Sequence, residues 1–181
     1  MLLEYSVKWA DSDDLFKLAS GKLSDFFVDV KQTALRSRGH SFFGITMYEE
    51  AAKLDFPEDV KSFAVAGVAL GGCPLASAVS TVCGMDALYV RKAAKDHGTK
   101  AKVEGSADTK YVVLLEDVVT TGGSSLDAVK TLTEAGYKVV GIVAVVDRDE
   151  GGRKAIEDAG LQFRSIFTRK DLDNRKAKKS K

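Results

Sequence analysis

Residues 111–132, YVVLLEDVVTTGGSSLDAVKTL, decide how this chain is read. Tyr111–Leu115 is an unbroken apolar run, the pattern of a parallel strand covered on both faces. Glu116 and Asp117 follow where such a strand leaves the core, and open α/β sheets place ligands at that carboxyl edge. Thr120–Ser125 then supplies hydroxyls, flexible backbone at Gly122 and Gly123, and the unpaired N–H groups of a starting helix, which attract an anion. Leu126, Val129 and Leu132 recur on one helix face, and Gly136 is placed to end it. A phosphate in the turn with two carboxylates before it suits a phosphorylated sugar whose hydroxyls the acids can hold. Strand–turn–helix units with Thr and Gly in the turn also occur without a ligand. On the residues alone both readings stand. The turn is neither a P-loop nor a dinucleotide fingerprint, since Gly-Lys-Ser/Thr and Gly-x-Gly-x-x-Gly are both absent from it.

The stretch LLEDVVTTGGS resembles the signature of the type I phosphoribosyltransferases: an apolar strand, two acids, two apolar residues, then Thr-Thr-Gly. In that family the loop binds the 5-phosphate of phosphoribosyl pyrophosphate (PRPP), and the acids meet its ribose hydroxyls. The resemblance therefore implies an α/β fold with a central parallel sheet flanked by helices and a small N-terminal hood.

The rest of the chain agrees with one such unit. Its 181 residues, 45% apolar and 29% charged, suffice for a single domain with a sizeable core. We expect one domain over 1–173, its hood mainly 1–33 plus part of the C-terminal segment. Residues 174–181 carry five of the positive charges and read as a disordered basic tail. Without them the net charge of +1 falls to about −4, which argues against a nucleic-acid partner. No apolar run is long enough to span a membrane, and the start MLLEYSVKWADSDD lacks the pattern of a secretion signal. Cys73 and Cys83 show no Cys-x-x-Cys spacing and read as small core residues kept reduced in a cytoplasm. His40 and His97 offer no zinc spacing.

Along the chain, residues 2–10 read as a short amphipathic helix, and Phe16–Ala19 with Phe26–Val30 as two short strands. A helix is expected over 34–54, closed by Pro57. From Phe63 the pattern alternates. Strands are expected at 63–67, 87–90, 111–115, 139–146 and 161–167, and helices at 74–83, 125–135 and 152–159. GVALGGCPLA (67–76) is a second strand-to-helix turn at the ligand edge; alone, it is as readily a plain tight turn. Beside the first loop it resembles the family's pyrophosphate-side loop.

Residues 91–98, RKAAKDHG, place Arg91, Lys92, Lys95 and His97 in a stretch without periodicity that runs to 108. A cationic run is usually a solvated face, but long structureless segments inside a tight α/β chain are more often lids. Cationic side chains on a lid stabilise a departing polyanion and help exclude water. RKxxKxHG after an apolar strand is similar to the catalytic loop of the orotate phosphoribosyltransferases. SGKLSDFFVDVKQT (20–33) resembles their SG-x-x-S-x-x-Y/F-x-D segment, and VVDRDEGG (145–152) their D-R-x-E-x-G element. The resemblance spans about residues 15–170, with four motifs in order.

It implies the following roles. Glu116 and Asp117 grip the ribose hydroxyls, directly or through water and metal. Val118, Val119, Thr120, Thr121, Gly122, Gly123 and Ser124 hold the 5-phosphate. Thr120, Arg148 and the ring of Phe27 bind orotate, with Arg148 supplying a fork for its carboxylate. Without the resemblance, Arg148 would read as an exposed or ion-paired arginine beside Asp147 and Asp149. Arg91, Lys92, Lys95 and His97 contact pyrophosphate, with Lys95, His97 and Asp117 as the catalytic set. The resemblance also implies Mg²⁺ held mainly by PRPP and water, and a homodimer whose mobile loop 91–104 reaches the neighbouring site. Ala19 and Gly71 stand where some family members carry Lys, so no role of those lysines carries over. The rival readings are a phosphoribosyltransferase for a purine or uracil, and a PRPP-sensing regulator that binds nucleic acid.

Overall fold

The computed structural model describes residues 1–10, 15–17, 23–92 and 102–179. Six strands form the central sheet: β5 (Ala64–Val68), β6 (Ala87–Val90), β7 (Val103–Glu104), β8 (Tyr111–Val119), β9 (Lys138–Asp147) and β10 (Gln162–Thr168). Their order is β10-β9-β8-β5-β6-β7, with every neighbouring pair parallel except β6 and β7. The crossovers are the helices α3 (Cys73–Cys83), α4 (Gly123–Glu134) and α5 (Gly152–Asp158).

The two faces of the sheet bury separate clusters, and strand alternation decides which residue goes where. Val113 and Leu115 of β8, with Val143 and Val145 of β9, face Leu75 and Val79 of α3 and Phe43 and Met47 of α2 (Ser37–Ala51). Val112, Leu114, Ile142 and Ala144 face the opposite way, onto Ala128 and Leu132 of α4 and Ile156 of α5. The deepest stripe of α4 is Ser125, Ala128 and Leu132; Leu126 and Val129, expected there, lie only half-buried at its margins. Gly136 does end this helix, in a left-handed conformation (φ 91°).

The hood differs most from expectation. Of the helix expected over 2–10, only Leu2–Ser6 is helical, as a short π-helical turn, and it leads into β1 (Val7–Trp9). That strand pairs antiparallel with β4 (Phe26–Val28), and β2 (Phe16–Lys17) pairs with β3 (Leu23–Ser24). A short helix, α1 (Lys31–Ala34), connects the hood to α2, which is the helix expected over 34–54, three residues shorter at each end. β8 runs four residues beyond the expected 115, so Glu116 and Asp117 lie within the strand. Part of the stretch expected to lack structure, 91–108, supplies β7 at the sheet edge.

The helix α6 (Arg169–Lys179) runs into the segment 174–181, expected as a disordered tail, whose last two residues lie outside the described ones. Its fully buried Leu172 anchors it to the core, Asp171 caps its start by accepting from Thr168, and Arg169 pairs with Asp173 one turn on at 2.8 Å.

Candidate active site

The carboxyl ends of β5, β8 and β9 converge on one edge, and both Gly-bearing loops arise there. At the end of β8, Gly122 adopts a left-handed conformation (φ 83°), turning the chain sharply into α4. No side chain caps that helix, so its first N–H groups point outward without an intrahelical acceptor. A side chain at Gly123 would meet nothing within 4 Å, whereas one at Gly122 would press on the Gly152 carbonyl at 3.1 Å. The result is an open cradle at a helix N-terminus backed by α5. Thr121, Gly123 and Ser124 are exposed on it and Thr120 is half-buried. Val118 donates its N–H to Asp117 Oδ1 at 2.9 Å, and Val119 is buried in the ladder opposite Asp147.

The two acids are in different surroundings. Glu116 is 4% exposed and accepts a hydrogen bond from Ser125 Oγ at 2.7 Å. Burial, helped by neighbouring Asp117, pushes its carboxyl up to about 7, against the pull of Ser125, Ser124 and Lys92. Asp117 is half-buried, and burial raises it too, while the N–H of Val118 and the charge of Lys31 hold it down. Lys31 is paired with Asp29 at 2.6 Å, so the hood brings an ion pair toward this acid. A Cβ on Gly71 would fall 1.9 Å from Asp117 Oδ2; the bare backbone of the second loop is what admits this carboxylate. In the same loop the Ala69–Leu70 peptide is cis.

Arg148 sits at the carboxyl end of β9, its N–H donating to the Val119 carbonyl at 3.0 Å, beside the cradle. Its side chain is 5% exposed. Nε donates to Glu150 Oε1 at 2.7 Å, and Nη2 to Ser24 Oγ at 3.0 Å and the Phe26 carbonyl at 3.4 Å. Asp147 and Asp149, the partners an isolated reading suggests, look elsewhere. Asp147 Oδ1 accepts from the Asp149 N–H, and its buried Oδ2 lies 3.3 Å from Arg153 Nε without hydrogen-bond geometry. Asp149 accepts from the Lys170 N–H. Phe27 is 38% exposed against Phe16, with ring centres 5.6 Å apart, while Phe26 is fully buried under Arg148 and Arg169.

The structure therefore gathers Glu116, Asp117, Thr120–Ser124 and Arg148 at one edge, with the hood over it. Arg91 follows β6 and pairs with Glu104 at 3.3 Å, and Lys92 is exposed beside it. With Lys102 and Ser124 they line a cleft of about 350 Å³. Lys95 and His97 lie outside the described residues, as do Ala19 and most of loop 91–104.

Comparison with known proteins fits this arrangement. The phosphoribosyl transferase domain model matches residues 47–162. An orotate phosphoribosyltransferase of Sorangium cellulosum is 51% identical over 163 residues, 86% of this chain and 82% of that protein. The chain belongs to the orotate phosphoribosyltransferases. One from Aquifex aeolicus is 42% identical, covering 95% of this chain and 93% of its own. A crystal structure of the Mycobacterium tuberculosis orotate phosphoribosyltransferase in complex with PRPP superposes with a TM-score of 0.75. It is 34% identical and covers 95% of this chain and 94% of that one.

The sequence alone did not single out Ser24, Lys31 or Glu150, although all three stand inside the quoted motifs. Only their contacts distinguish them from ordinary polar neighbours: Ser24 and Glu150 with Arg148, and Lys31 with Asp29 beside Asp117. Cys73 and Cys83 stand at the two ends of α3, half-buried, with thiols that burial pushes up; neither touches the cradle residues. Among the described residues, no helix is long and apolar enough to cross a membrane.

Proposed function

We infer that the chain transfers the ribose 5-phosphate group of PRPP to orotate, giving orotidine 5′-monophosphate and pyrophosphate in pyrimidine synthesis. The observation that carries this reading is the Arg148 N–H bonded to the Val119 carbonyl. It ties the Arg148 backbone to the end of the strand that carries the carboxylate pair and leads into the anion cradle, which supports a guanidinium at this edge as the partner of a carboxylated base.

The cradle at Thr120–Ser124 takes the 5-phosphate through helix N-terminal donors. Glu116 and Asp117 accept hydrogen bonds from the ribose hydroxyls, which orients the anomeric carbon. Thr120 and Arg148 bind orotate, and the exposed ring of Phe27 lies by the base. Arg91, Lys92, Lys95 and His97 meet the pyrophosphate, with Lys95 neutralising charge or donating a proton as it leaves. The anomeric centre develops oxocarbenium character, and the base nitrogen attacks it as the bond to pyrophosphate breaks. No enzyme nucleophile is required.

Mg²⁺ fits this donor set. Among the described residues no group of three His, Cys, Asp or Glu is placed to hold a metal. Two carboxylates beside a polyphosphate suit an ion that keeps much of its water and binds mainly through substrate oxygens. When bound with PRPP it supplies charge neutralisation to the leaving group. The catalytic unit is residues 1–173 in a cytoplasmic homodimer, with loop 91–104 reaching the neighbouring site. Leu35, Phe42, Ile45 and Val82 are exposed apolar side chains on and beside α1–α3 that a second copy would cover.

The test is consumption of orotate with PRPP and Mg²⁺, with uracil, adenine and hypoxanthine in parallel. Orotidine 5′-monophosphate should form, and the other bases should give at most a small fraction of that rate. Turnover of uracil or a purine without orotate would overturn the reading.

A further inference from the structure

Arg148 can present a well-defined edge to a carboxylate only if something holds it, because a long side chain loses rotamer freedom on binding. Its grip comes from two directions. On one side the backbone bends at Asp149, whose φ of 57° is left-handed and tolerable for aspartate. The bend returns Glu150 to the Arg148 Nε at 2.7 Å. On the other side the hood lowers Ser24 Oγ and the Phe26 carbonyl onto Nη2, across more than 120 residues of chain. The Phe26 ring lies beneath, its centre 5.2 Å from Cζ. These contacts engage Nε and Nη2. Among the described residues no acceptor meets Nη1.

We propose that Glu150 and Ser24 are positioning residues that clamp the Arg148 guanidinium from opposite sides, leaving Nη1 to receive the carboxylate of the base. This rests on the reading of Arg148 as the base-binding arginine and adds what aims it. An ordinary exposed ion pair would contribute little, but Arg148 is 5% exposed and Glu150 31%. A charge-assisted bond in such surroundings is strong enough to choose a rotamer. The clamp also links recognition to the hood: with Ser24 lifted away, Nη2 loses its partners and the edge offered to the base turns.

Steady-state kinetics on the full chain test this, varying orotate at saturating PRPP and the reverse, for Glu150→Ala, Glu150→Gln, Ser24→Ala and Arg148→Ala. Glu150→Ala and Ser24→Ala should each raise the orotate KM roughly tenfold, the scale of one lost charge-assisted hydrogen bond. The turnover number and the PRPP KM should stay within about twofold. Glu150→Gln, whose amide oxygen can still accept from Nε, should recover most of the loss. An orotate KM that is unchanged or lowered in both Glu150→Ala and Ser24→Ala would overturn the clamp, as would an equal rise for both substrates. Ser24 lies on a different element, so its variant decides the matter if Glu150→Ala does not fold. If Arg148→Ala raises the orotate KM while the clamp variants do not, the clamp alone fails. If Arg148→Ala leaves it unchanged, the underlying assignment fails with it.

Discussion

Replacing Glu116 by Gln should stabilise the ligand-free protein increasingly as the pH rises from about 4.5 to above 7. The Glu116 carboxyl is almost wholly buried, has one strong donor in Ser125, and stands next to Asp117. Burial first, then that neighbour, raises it from its ordinary 4.5 to about 7. A carboxyl raised on folding favours the protonated folded state. Its contribution is intact below about pH 4.5 and is lost as the pH climbs through about 7. A rise of about 2.5 pH units at ~1.36 kcal/mol each amounts to ~3 kcal/mol. Glutamine keeps the shape, can still accept from Ser125, and never ionises. Chemical denaturation of both proteins across the pH range should show stabilities that differ by a constant below about pH 4. From there the gap should widen in favour of the variant by ~3 kcal/mol at about pH 8, or roughly 6–12 °C in Tm. A gap that does not change with pH would refute the assignment of Glu116 as a buried acid held at raised pKa. The same variant should bind PRPP poorly, because the neutral amide also brings an N–H donor toward the ribose.

Three further perturbations probe the rest of the site. Arg148→Ala should raise the orotate KM by roughly 10–100-fold, the loss of a charged partner to a carboxylate, with little effect on PRPP; equal effects on both KM values would argue against a carboxylate site. Lys95→Ala should lower turnover by at least about a hundredfold while orotate binding, followed by calorimetry, changes little; unaltered turnover would remove Lys95 from the mechanism. Gly72→Ala would drive a Cβ to 2.4 Å from the Val68 nitrogen and 2.5 Å from the Leu115 oxygen, both backbone atoms that cannot swing aside. It should cost about 2–3 kcal/mol in denaturant titrations. Gly71→Ala would place a Cβ 1.9 Å from Oδ2 and 2.2 Å from Cγ of Asp117, a side chain rather than backbone, so it should cost less stability than Gly72→Ala while displacing this carboxylate.

The parallel sheet was legible because each buried strand is a short apolar run and each crossover an amphipathic helix, patterns confined to a few neighbouring residues. The turn between β8 and α4 was legible for the same reason: strand, acids, turn and helix start are contiguous in 111–132. The hood was not. Its strands are two or three residues long, too short to express a period, and they exist through pairing with distant partners. The carboxyl-terminal helix was hidden by its charge, since one buried residue, Leu172, and side-chain pairs along and beyond the helix hold it. Arg148 was found through resemblance, yet its partners were misplaced. Adjacent Asp147 and Asp149 are the obvious candidates along the chain, but a left-handed turn aims both away and delivers Glu150 instead. Which carboxylate reaches a guanidinium depends on backbone dihedrals that composition does not express.

The hood is stitched to the far end of the chain. Arg169 forks onto Asp25 with both distances 3.1 Å, and Trp9 donates to Asp173 at 3.2 Å. On the ribosome this sets an order of events. Strands β5, β6, β8 and β9 can pair, and the phosphate cradle can form, before residue 169 has been added. The hood receives these fastenings only once α6 has been made. A nascent chain halted within that helix would carry the turn at 120–124 under a roof only partly fastened.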